Sequence, residues 1–141
     1  MRPTRFVLAS AVCVLVAGCS VREMTAGRAE AEKAVSEFHE SFNAGRFGEI
    51  YDSASDEFRA ALKRERFLEL LGAIERKLGK VTGTENKGWR VNSRNLRTYV
   101  DVTQASRFDT GEAVETFGFV VRDGKAILIG YNIQSLDLIV R

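Results

Sequence analysis

The spacing of apolar residues changes once along this chain, and the change divides it into helices followed by strands. Ala31, Ala34, Val35, Phe38 and Phe42 recur at steps of three and four, which predicts an amphipathic helix running to about Asn43, with Gly45 placed to end it. Phe47, Ile50, Tyr51 and Ala54 predict a second, shorter helix closed by the stretch SASDEF. Phe67, Leu70, Leu71, Ile74 and Leu78 form the clearest apolar stripe, a third helix with Gly79 as its stop. Upstream of these, Phe6 to Val16 is an uncharged apolar run, and SVREMTAGR over 20–28 has no strong period. That segment reads as a short tether, long enough at about 3.5 Å per residue to lift a domain roughly 30 Å.

After Gly79 the period becomes two. Leu96, Val100, Val102 and Phe108 alternate with Arg97, Tyr99, Asp101, Thr103 and Arg107, as in a half-buried strand. VETFGFVV and AILIGYNI follow as a hairpin around RDGK, and a weaker strand is expected from Val81 to Val91, including Trp89. A three-residue loop, Arg122 to Gly124, would place Phe117, Phe119, Val121, Ile127, Ile129, Tyr131 and Ile133 on one core face. The other face would then carry Tyr99, Gly118, Val120, Leu128 and Gly130, and SLDLIVR would extend it as further strand. Helices first and an antiparallel meander after them make the class α+β: three amino-terminal helices packed on a curved four-stranded antiparallel sheet.

Charge changes this picture only at the amino terminus. The chain holds 21 Lys plus Arg against 19 Asp plus Glu. Arg2 and Arg5 are the only charged residues among the first eighteen, so without that segment the two signs balance, and no nucleic-acid partner is expected. The positive start, the apolar run and the small residues Ala17 and Gly18 have the layout of a secretory signal. The run is well short of the roughly 20 residues of a membrane-spanning helix. Cys13 lies within it, which leaves Cys19 as the single cysteine of a mature chain and excludes an internal disulfide.

Val16-Ala17-Gly18-Cys19 resembles the lipobox of bacterial lipoproteins. The resemblance implies a signal peptide over 1–18, a diacylated and further acylated (palmitate-type) Cys19 with its tether over 19–28, and a single domain over 29–141. It makes Cys19 a lipid anchor to the membrane. Two or three acyl chains hold a protein stably where one binds marginally. Ser20, where an Asp would favour inner-membrane retention, points to the outer membrane facing the periplasm of a bacterial cell envelope.

The helices, the LGKV leaving the third of them, the strand with Tyr99 to Thr103 and the closing VVRDGKAILIGYNI resemble the nuclear transport factor 2-like, or cystatin-like, cone. More narrowly they resemble small bacterial lipoproteins carrying such a domain of unknown function. That superfamily includes ketosteroid isomerases, polyketide cyclases, dehydratases and non-catalytic binding modules, so the fold alone selects none. An enzyme of this kind would need a base and oxyanion donors inside the cone. The inward positions are mostly aliphatic or Phe, with Gln104, Ser106, Glu115, Tyr131 and Ser135 as polar exceptions. His39, the only His, sits at the edge of the first helix's stripe, and Trp89 could line a ligand pocket. His39, Trp89, Gln104, Glu115 and Tyr131 are therefore the candidate pocket residues. Alternation sends Asp101 to the other face. No catalytic set, metal-ligand cluster or cofactor fingerprint is expected. The reading is a membrane-anchored, non-catalytic binding domain, meeting a second copy or an envelope protein through the outer sheet face, or a small apolar ligand. The alternative is a pocket enzyme of the isomerase, cyclase or dehydratase type.

Overall fold

The computed structural model describes residues 17 to 140, so the expectations for residues 1–16 and for the Cys19 side chain lie outside the described residues. Helices α1 (Ala17–Asn43), α2 (Phe47–Asp52), α3 (Asp56–Ala61) and α4 (Arg64–Leu78) precede strands β1 (Val81–Arg94), β2 (Arg97–Phe108), β3 (Gly111–Arg122) and β4 (Lys125–Gln134), and a short α5 (Leu136–Val140) closes the chain. The sheet runs β1-β2-β3-β4, antiparallel throughout. The helices cover one face, where Val35, Phe38 and Phe42 of α1 and Phe67, Leu71, Ile74 and Leu78 of α4 meet Val100, Val102, Phe117, Phe119 and Leu128.

The α+β class stands, with four helices before the sheet instead of three. The additional one, α3, begins where SASDEF was expected to be only a closure. Ser55 takes an extended conformation and its side chain accepts a hydrogen bond from the Phe58 amide at 3.1 Å, the N-cap arrangement. Its own amide donates to Leu128 O at 2.9 Å, docking the α2–α3 pair on the edge strand. The expected tether over 20–28 is helical and continuous with α1. Once the packed turns beyond Ala31 nucleate a helix, each upstream residue extends it at little cost. Helix α4 ends as expected at Gly79, whose φ of +81° suits glycine and whose Cβ, were there one, would collide with Asp109.

The β3–β4 hairpin departs from the expected register. Arg122 pairs with Lys125 across a two-residue turn, Asp123 (φ 49°) and Gly124 (φ 71°), the left-handed pair that suits the strand twist. Phe119 consequently pairs with Leu128, and Leu128 enters the core. A bulge at Ile129 then shifts the ladder, so Gly118 faces Gly130 and Phe117 faces Tyr131. The bulge resolves the conflict that had favoured a three-residue loop: Phe117, Phe119, Leu128, Tyr131 and Ile133 all reach the helix side, while Ile127 and Ile129 turn away. The β1–β2 turn has the same left-handed form at Asn95 and Leu96, which puts Leu96 fully in solvent instead of in the strand's apolar row.

The last segment also differs. Leu136 to Val140 form α5 instead of more strand: Ser135 Oγ donates to Glu112 O at 2.5 Å and accepts from the Asp137 amide at 3.2 Å, and Lys77 Nζ donates to Leu138 O at 2.5 Å. Leu138 packs against the core, and Leu136, Ile139 and Val140 are exposed. No helix among the described residues is long and apolar enough to cross a membrane.

Candidate functional site

The period of two along β2 and β3 carries both strands' polar exceptions to the helix side. Glu115 lies opposite Gln104 on β2 and Ile133 on β4. Ser106, two residues beyond Gln104, and Tyr131, two before Ile133, flank it on either neighbour. Helix α1 crosses above and lowers His39 onto the same point. The result is a closed cluster: His39 Nε2 lies 2.7 Å and Ser106 Oγ 2.5 Å from Glu115 Oε2, and Tyr131 OH lies 2.6 Å from Oε1.

Proton positions follow from the donor count. Burial pushes the Glu115 carboxyl upward, but the donations from His39, Ser106 and Tyr131 outweigh it, and the group is held below its ordinary value of 4.5. An ionised carboxylate only accepts, so both hydroxyls and the His39 Nε2–H donate to it. The Tyr131 phenol is pushed well above 10.0 by burial and then by the adjacent carboxylate.

Aromatic rings enclose the cluster. Phe38 packs on Tyr131 at 4.9 Å and edge-on to Phe117 at 5.0 Å between centroids, and Phe117 meets Tyr131 at 5.2 Å and His39 at 5.5 Å. Glu115 is 1 % exposed and His39 8 %. Glu115 is absent from the lining of four clefts among the described residues. His39 does reach one: it borders a shallow cleft of about 370 Å³ between α1 and the start of β1, together with Gln104, Ser36, Glu40 and Asn43. A second cleft, about 270 Å³ with Phe38, Ile50, Phe119 and Leu128 among its lining residues, lies between α1, α2 and the sheet. The largest, about 520 Å³, lies beside α5 and is lined by Ala105, Arg107, Glu112, Val114 and Asp137 among others.

Of the five candidate pocket residues, the structure brings His39, Glu115 and Tyr131 into direct contact and sets Gln104 beside them. Trp89 does not join; it is 38 % exposed with the Arg28 guanidinium 3.9 Å above its ring. Ser106 completes the cluster, although from the sequence it stands out only as an inward polar exception. Its signal was the same alternation that placed Glu115. No group of three or more His, Cys, Asp or Glu suited to a metal ion occurs among the described residues.

Amino-terminal helices packed on one face of a four-stranded antiparallel meander give the α+β, nuclear transport factor 2-like fold. Its likeness to a solved structure agrees: the crystal structure of a "Putative Scytalone Dehydratase" from Novosphingobium aromaticivorans DSM 12444 superposes with a TM-score of 0.51 at 10 % identity, over 84 % of this chain and 87 % of that one. At that identity the likeness is one of fold. No family model matches the chain. No curated protein matches it.

Proposed function

We propose that this is a lipid-anchored protein of the bacterial envelope whose cone acts by binding and not by catalysis, with the Glu115 cluster serving as an internal lock. The observation that carries the non-catalytic reading is that the Glu115 carboxylate is buried, accepts from three internal donors and lines none of the clefts described above. A general base needs a lone pair facing substrate. The signal layout and the lipobox-like Val16-Ala17-Gly18-Cys19 support the anchor and the periplasmic side of the outer membrane. Binding surfaces are the outer sheet face, now built from Tyr99, Val120, Ile127 and Ile129, for a second copy or an envelope protein, and the Phe38–Ile50–Phe119–Leu128 cleft for a small apolar ligand.

One observation favours the alternative of a pocket enzyme. His39 touches both Glu115 and the cleft beside Gln104, so a carboxylate-oriented imidazole borders solvent-reachable space. One experiment separates the two readings. The protein is incubated with a panel of cyclic ketones in heavy water, and exchange at the carbon next to the carbonyl is followed by NMR. The binding reading predicts no exchange above that of a His39→Gln variant; exchange that depends on His39 would transfer the protein to the enzyme class.

A further inference from the structure

The two hairpin tips at one end of the sheet share an unusual arrangement of charge. The Asn95–Leu96 turn is flanked by Arg94 and Arg97, which face one another across the ladder, and the Asp123–Gly124 turn is flanked by Arg122 and Lys125, which do the same. Like charges directly opposite in a sheet oppose pairing. Here they occur at both tips, and the neutralisation is thin: Glu57 alone serves Arg122 at 2.9 Å and Arg97 at 4.0 Å, and no ion pair of Arg94 or Lys125 is found among the described residues. The β2–β3 turn at the opposite end, Asp109–Thr110, is flanked by Phe108 and Gly111. Leu96 is fully exposed and sits in the left-handed region, where a leucine is uncommon.

Helix α1 leaves the domain at this same end. Gly27 rests against Thr98, Val100 and Val121, just below the tips, and every residue from Val21 to Ala26 is exposed. At 1.5 Å per residue, Cys19 stands about 12 Å further along the helix than Gly27. The exposed Val21, Arg22 and Met24 lie on the intervening helical turns, whereas the Arg28 guanidinium is engaged over Trp89 further along the sheet.

We infer that this end of the domain is a docking surface for anionic phospholipid: Arg94, Arg97, Arg122 and Lys125 meet the headgroups, Leu96 enters the interface between them, and α1 rises from the bilayer with the far end of the sheet held away from it. The orientation rests on the lipid-anchor reading above; the charge recognition does not. Basic residues close to an anionic surface attract it within a Debye length, and a polybasic patch is a known second signal beside an acyl chain. An acidic protein is the competing occupant of the same patch.

The test uses the full-length protein, expressed, extracted from membranes and reconstituted into vesicles, with an environment-sensitive fluorophore on Leu96→Cys or, as the far-end control, on Glu112→Cys. Vesicles contain bromine-labelled quencher lipid with either phosphatidylglycerol or phosphatidylcholine only. The mass of the amino-terminal peptide is measured on the same preparation. The expected result is quenching at position 96 in phosphatidylglycerol that drops severalfold in phosphatidylcholine, in high salt, or with Arg94→Glu and Lys125→Glu, and no quenching at position 112. Equal quenching at 96 in both lipids would mean tethering without charge recognition and would overturn the proposal. So would an unquenched probe at 96 in phosphatidylglycerol, the outcome expected if the patch serves an acidic protein. If the peptide lacks acyl mass, the anchor reading fails separately; quenching with Cys13 and Cys19 replaced by Ser then still decides whether position 96 meets anionic lipid.

Discussion

Glu115 is the residue on which the interior depends. A carboxylate removed from water is stabilised only while its acceptor sites are filled, and removing one donor leaves part of the charge uncompensated. Tyr131→Phe deletes the single donor to Oε1 and should destabilise the domain by about 1.5 to 3 kcal/mol in denaturant titration, with little change in fold. Glu115→Ala, which strands His39, Ser106 and Tyr131 together, should cost more. The pH dependence follows from the two shifted groups. Glu115 is held below 4.5 in the folded state, so its contribution is present above 4.5 and is lost as pH falls through the lower folded value. Tyr131 is held above 10.0, so its contribution is present below 10.0 and is lost as pH rises from there. Thermal melting across pH should therefore show loss at both extremes, and the acid limb should shrink in Glu115→Gln.

This cluster was legible in part. Alternation along β2 and β3 identifies Glu115, Ser106 and Gln104 as inward-facing, and the stripe of α1 puts His39 at its edge. What the sequence does not state is that a helix residue and a strand residue 76 positions apart come into contact. That contact depends on the angle at which α1 crosses the sheet, which the apolar pattern leaves undetermined. Trp89 shows the converse: an aromatic of the right type, drawn to Arg28 by cation–π attraction at the rim instead of to the centre.

At the scale of elements, the β3–β4 hairpin is the instructive case. The structure replaces the expected three-residue loop with a two-residue turn, while the core face that loop was chosen to build survives in Phe117, Phe119, Tyr131 and Ile133; in a regular ladder that turn and that face conflict because the side-chain period is two. The Ile129 bulge satisfies both. Deleting Ile129 removes the extra residue and should restore a regular ladder in which Leu128, Tyr131 and Ile133 still face the helices, so thermal unfolding should stay cooperative and the Tyr131 to Glu115 bond should persist. A loss of cooperativity in that variant would contradict the bulge at Ile129. The α3 N-cap and the α5 turn were missed for a related reason: SASD and SLD are short polar-led segments whose helicity is decided by caps and docking, Ser55 on Phe58 and Leu128, Ser135 on Glu112 and Asp137, and not by a repeating apolar stripe. Ser55→Ala should cost about 1 kcal/mol, read by chemical denaturation.

For the whole molecule, the order of elements was enough to give the cone, because three amphipathic stripes followed by an alternating meander have few ways to bury their apolar faces together. The turning of Leu128 into the core changes what the outer face offers a partner. Val120 lies buried there, with Tyr99 and Ile127 as its cross-strand neighbours, and Ile129 follows on β4. If that face joins two copies, sedimentation of the detergent-extracted protein should show a dimer that Ile129→Asp dissociates; Leu128→Asp would instead unfold the domain.

Under the proposed function an anchor and the cone would meet at α1, whose one end carries Cys19 and whose other end fixes Asn43 to Val81 through two hydrogen bonds of 2.9 and 2.8 Å. The proposed function makes this helix the link between a lipid and a binding domain. The most direct measurement is the mass of the amino-terminal peptide of the full-length protein expressed in bacteria and extracted from their membrane fraction. The account predicts a peptide that begins at Cys19 and carries acyl mass, with a Cys19→Ser chain lost from that form. A soluble wild-type protein with an unacylated amino terminus at any other residue would contradict it.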